Sequence, residues 1–158
     1  EPVIWFGLVN IIAMLMGSLG LGWIQKKKDF AGLSANLGIQ TSLTVGVIVS
    51  LFIFAISGNF LLAIVMITFT QVFREAHYPF YTGWVNRKLD SSVRATVISM
   101  SSQVDAMGQI GGGPFVGGIA NRMGIPSGLM VSAGLLTFAL PIYGVLMRRV
   151  NGKKVLDS

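Results

Sequence analysis

Residues 30–73 read FAGLSANLGIQTSLTVGVIVSLFIFAISGNFLLAIVMITFTQVF, without one Asp, Glu, Lys or Arg. That interval is more than twice the ~20 residues a helix needs to cross a bilayer core. A single turn-forming cluster, Ser57-Gly58-Asn59, divides it. The stretch therefore predicts two membrane-crossing helices, over about 34–56 and about 60–84. Composition agrees. The 158 residues are 53% hydrophobic and 11% charged, with a mean hydropathy of +0.70. A soluble domain carries about a quarter charged residues, so this chain has too few to cover a water-facing surface. Its hydrophobicity also excludes intrinsic disorder.

Outward from that centre, three further spans are expected, over about 3–24, about 93–119 and about 128–147. The sequence QKKKD stops the first, and the polar stretch NRKLDSS precedes the fourth, whose start Ser91 or Ser92 is placed to cap. The loop ANRMGIPS leads to the fifth, and the tail RRVNGKKVLDS is basic. The expected fold is all-α: a polytopic helical bundle of five spans in one membrane domain over residues 1–158, with 148–158 as its tail. The first span has no basic segment before it and no small-residue cleavage site after it, unlike a signal peptide. Residue 1 is Glu, so the chain is expected to be a piece of something longer.

Strict alternation of the spans gathers Lys26, Lys27, Lys28, Arg87, Lys88, Arg94, Arg148, Arg149, Lys153 and Lys154 on one face, ten of the 12 basic residues. The other face has Arg122, and Arg74 lies inside the third span. Basic residues accumulate on the cytoplasmic side, so the C-terminus is expected there, in an integral protein of a bacterial plasma membrane. The net charge of +6 is thereby explained by topology, and no nucleic-acid partner is expected.

Two spans carry groups that lipid does not tolerate alone. In QVFREAHYPFYTGW, the residues Gln71, Arg74, Glu75, His77 and Tyr78 are candidates for a substrate or ion path, and Gln71, Arg74, Tyr78 and Tyr81 share one helical face. Packing at the headgroup level is the plainer reading of the same residues. Pro79 is expected to bend the helix. In the fourth span, Ser101, Asp105 and Gln109 recur at four-residue spacing. Asp105 and Arg74 lie at similar depth, roughly 20 Å and 18 Å from their cytoplasmic ends at the helical rise, and are expected to face the bundle interior and interact directly or through water. Gly108, Gly112, Gly113, Gly117 and Gly118 surround Pro114. Small residues four apart allow close helix approach, and a proline kinks, so this run is a candidate for packing or gating.

Nothing suggests an enzyme. Phosphate-loop and H-E-x-x-H motifs are missing, and so is a nucleophile–base set. With no cysteine and one histidine, neither a metal site nor a cofactor is expected.

The order of spans, the basic loop after the first, and WVNRKLDSSVRATVISMSSQ (84–103) resemble the major facilitator superfamily. A polar loop followed by Arg94-Ala95-Thr96 and a Ser-rich helix start is similar to the entry to that family's eleventh helix. Gly113-Pro114-x-x-Gly117-Gly118 is similar to its antiporter motif, with Gln109 standing where the motif has another glycine. The loop GWIQKKKDF matches the family's loop signature poorly. The resemblance implies helices eight to twelve of twelve and an absent N-terminal bundle as partner. It also implies an unidentified small solute and a coupling proton, with transport by alternating access. An exporter of drugs or metabolites is one form of that reading, and a non-transporting membrane subunit or assembly factor is the alternative.

Overall fold

A computed structural model describes residues 33–156 and, before them, Gly7, Ile11 and Leu15, which are helical. The expected first span and Lys26, Lys27 and Lys28 otherwise lie outside the described residues. Within residues 33–156 five helices follow one another: α1 (Leu33–Ile56), α2 (Phe60–Lys88), α3 (Ser91–Met123), α4 (Ile125–Thr137) and α5 (Ala139–Leu156). Among the described residues there is no strand.

Among the described residues, three stretches are long and apolar enough to cross a membrane: Leu33–Ile56, Phe60–Gly83 and Ile125–Val150. The first two are the helices read from residues 30–73. The third joins α4 to α5 across Phe138, where one turn separates them. Pro141 explains the break, because its missing N–H leaves the Thr137 carbonyl without the usual helical donor. The expected fourth span is a single helix, α3, of 33 residues, but it is not apolar enough to join the other three. Its serines, glutamines, Asp105 and glycines lower its hydropathy below theirs.

The connections follow local chemistry. Asn59 caps α2, its Oδ1 accepting from the backbone N–H of Leu61 at 2.9 Å and Leu62 at 3.5 Å. The cap of α3 is Asp90, one residue before the expected serines. Its side chain makes no capping bond, while its carbonyl accepts from Val93 and Arg94. The loop expected over 120–127 shrinks to Gly124, whose φ of 90° suits glycine alone. Pro126 then stands in the first turn of α4.

α1 is the central element, packing against α2, α4 and α5, whereas α3 rests chiefly on α4. The buried face of α1 is half polar: Asn36, Gln40, Thr44 and Ser50 alternate with Leu37, Val47 and Ala55. Its outer face exposes Val45, Val49, Phe52 and Ile56. That is the pattern a lipid solvent imposes, since apolar side chains gain nothing by leaving it and polar ones gain partners by turning inward. Hydroxyls that face outward satisfy themselves on the preceding turn, as Ser42 does on Gly38 O at 2.9 Å and Ser102 on Ile98 O at 3.1 Å.

Two glycines set the closest approaches. A Cβ on Gly46 would lie 2.9 Å from the Phe73 ring of α2. A Cβ on Gly128 would lie 2.7 Å from Ala120 Cβ and 3.3 Å from Val116 O of α3. Gly46→Leu is predicted to push α1 off α2 and cost about 1–3 kcal/mol in detergent unfolding. Gly38→Leu on the same helix, where a Cβ meets nothing within 4 Å, is predicted to leave stability nearly unchanged.

Candidate functional site

The antiparallel pair α1–α2 is held by a polar seam. Asn36, Gln40 and Thr44 are four residues apart and so stand above one another on one face. Asn36 Nδ2 donates to Phe80 O at 3.2 Å, and Gln40 Nε2 donates to His77 O at 3.4 Å. Thr44 Oγ1 lies 3.4 Å from His77 Nε2 and 2.9 Å from Gln40 O. With its one proton given to Gln40 O, Thr44 accepts from His77 when Nε2 carries the ring proton. Further along, Thr70 Oγ1 donates to Ser50 Oγ at 2.9 Å. Both hydroxyl groups are buried.

His77 is therefore part of the seam, half-buried against α1. The other candidates of α2 point elsewhere. Arg74 and Glu75 are exposed, Tyr78 is 62% exposed, and Gln71 is half-buried. Ala76, between these and the seam, is buried. α2 thus has two polar faces inside one membrane-crossing stretch: one bonded to α1, the other charged, exposed and beside it. Pro79 sits within the helix between the last residues of both.

On α3, Asp105 and Gln109 are brought together, Gln109 Nε2 donating to the carboxylate at 2.9 Å. A direct Arg74–Asp105 contact is not present among the described residues. Asp105 is engaged by its own helix instead, because a four-residue spacing offers Gln109 within reach without any movement of α2. A Cβ on Gly108, Gly112, Gly113, Gly117 or Gly118 would meet nothing within 4 Å among the described residues, and Pro114 is exposed. α3 has no buried residue at all. At the basic end, Arg94 turns back so that Nη2 donates to Leu89 O at 3.1 Å, while its Nε is buried without a partner. Arg87 and Lys88 close α2, and Arg148 and Arg149 are exposed on α5.

Reading the sequence for charges missed the seam. The available signals were neutral: the spacing Asn36, Gln40, Thr44 in an uncharged span, and the small-residue series Ser42, Gly46, Ser50. Asn36→Leu and Gln40→Leu are each predicted to lower stability by about 0.5–2 kcal/mol in reversible unfolding, the range for interhelical bonds in lipid. Ser102→Ala, which removes a bond local to α3, is the comparison expected to change little.

No protein-family model, curated protein or solved structure matches this chain.

Proposed function

We propose that the chain is part of a secondary active transporter that moves a small solute by alternating access. It would supply five helices of a C-terminal bundle of the major facilitator kind, in a bacterial plasma membrane with the C-terminus cytoplasmic. The observation that carries the reading is the exposed face of α2 bearing Arg74, Glu75 and Tyr78 within Phe60–Gly83. A lone Arg at the centre of a membrane helix costs about 2.5–3.5 kcal/mol on insertion scales, so such a face calls for protein or water rather than lipid. Among the described residues neither Arg74 nor Glu75 has an ion-pair partner. A water-filled path between two bundles meets that need and gives the charges work to do on a solute or a coupling proton.

α3 supports the same reading. Its Asp105–Gln109 pair is exposed and its glycines are open to the space beside them, as on a helix facing a partner bundle. The ten-to-one distribution of basic residues supports the orientation.

Residues 1–158 contain no cysteine, so an accessibility test in the intact membrane protein needs replacement only of any cysteine outside them. Tyr78→Cys and Asp105→Cys are predicted to react with a water-soluble maleimide at least about tenfold faster than Phe52→Cys, because the thiolate needs water to form. Phe52 is the reference because it is exposed on the apolar face of α1. A bound solute or an imposed proton gradient is predicted to change the first two rates. Rates equal to that of Phe52→Cys would count against a path and favour a non-transporting membrane subunit.

A further inference from the structure

We propose that the end of α5 is a docking surface for anionic phospholipid headgroups, centred on Arg148 and Arg149. The inference rests on the membrane-spanning geometry of α4–α5 and is independent of transport.

Depth is the first argument. Ile125–Val150 contains 26 residues. At the helical rise that is ~39 Å, against a hydrocarbon core of ~30 Å. Shared between the two ends, the surplus of ~9 Å brings about three residues at each end of the stretch to headgroup level. Arg148 and Arg149 fall within it, and both are exposed, whereas Met147 and Val150 beside them are half-buried. The cations therefore stand on the side turned away from the rest of the bundle, where lipid headgroups lie.

Charge is the second argument. α5 contains no Asp or Glu, and from Ala106 through Leu156 the chain has none. Neither arginine has an ion-pair partner among the described residues. The helix does not stop where the apolar stretch ends, but continues to Leu156. That continuation places position 153 one turn beyond Arg149 and on the same face by register, with position 154 next to it. A guanidinium binds phosphate through two parallel N–H donors. Arg94 is a different case, since its guanidinium is already bonded to Leu89 O.

The occupant is a lipid with net negative charge, since a zwitterionic headgroup brings its own ammonium to compete for the phosphate. Each basic residue near such a surface contributes about fivefold in affinity.

The test uses the intact protein in bilayer discs of equimolar phosphatidylglycerol and phosphatidylcholine, with retained lipid counted by native mass spectrometry. The wild type is expected to retain phosphatidylglycerol in excess. Arg148→Gln with Arg149→Gln is expected to lower that excess about 25-fold, and Arg148→Lys with Arg149→Lys to keep most of it. Raising salt from about 0.01 M to about 1 M, which shortens the screening length from ~30 Å to ~3 Å, is expected to abolish the wild-type preference. Equal retention of the two lipids by the wild type overturns the proposal. So does a preference that survives in the double glutamine variant, which would place the lipid at another basic loop. Should that variant fail to fold, a wild-type preference insensitive to salt overturns it equally.

Discussion

A membrane interior has no water to accept a polar group that the protein leaves unbonded, and the seam between α1 and α2 is this protein's response to that constraint. Asn36, Gln40, Thr44 and Ser50 would each be a liability on a helix surrounded by lipid. Collected on one face and bonded to Phe80 O, His77 and Thr70, they become the contacts that give the hairpin its register. A rotation of α1 by one residue, ~100° about its axis, would carry the amides into hydrocarbon and bring Val45 and Val49 inward. The seam therefore also decides which sides of α1 remain for α4 and α5. Gly46 completes the arrangement, because the Phe73 ring occupies the space its side chain would need.

With one side of α2 committed in this way, the positions of its charges are no longer free. His77 faces α1, Glu75, two residues earlier, falls on the opposite side of the helix, and Arg74, at the edge of the seam face, is exposed. The same helix thus joins a closed polar interface to an open one. α3 has no closed interface of comparable kind: its polar pair Asp105–Gln109 is satisfied within the helix, and the glycines around Pro114 have open space beside them. The described bundle is closely packed around α1, while Arg74, Glu75 and Asp105, among the residues most costly to leave in lipid, are exposed on α2 and α3.

How much of this could be read from the sequence depends on which physical signal marks each feature. Absence of charge over residues 30–73 marks two spans, because only a membrane helix or a deeply buried one dispenses with charge for so long. Ser57-Gly58-Asn59 marks their turn through the capping oxygen of Asn59. α3 is harder, since its length reads as a span while its serines, glutamines and glycines read against one. The ends of α3 also misled: the polar residues Asn121 and Arg122 suggest a loop, yet the helix runs to Met123 and only Gly124 turns. At the candidate site, charge drew attention to Arg74 and Asp105, which lie at matching depth along their helices. Depth does not fix rotation, and Gln109 was the nearer partner for Asp105. The seam stayed hidden because its amides and hydroxyls look ordinary one at a time and acquire meaning only through the face they share.

The single residue between α3 and α4 has a consequence for biosynthesis. Gly124 leaves no slack, and Gly128 holds the two helices in contact within a few residues of the turn. α3, too polar to partition on its own account, emerges from the ribosome immediately ahead of a strongly apolar helix to which it is tightly linked. Insertion of the two as one hairpin, with the apolar α4–α5 stretch supplying the hydrophobic drive that α3 lacks, is the expected consequence, and comparing the insertion of α3 with and without α4 checks it. The turn at Gly124 thus links the order of membrane insertion to the placement of the chain's most polar long helix.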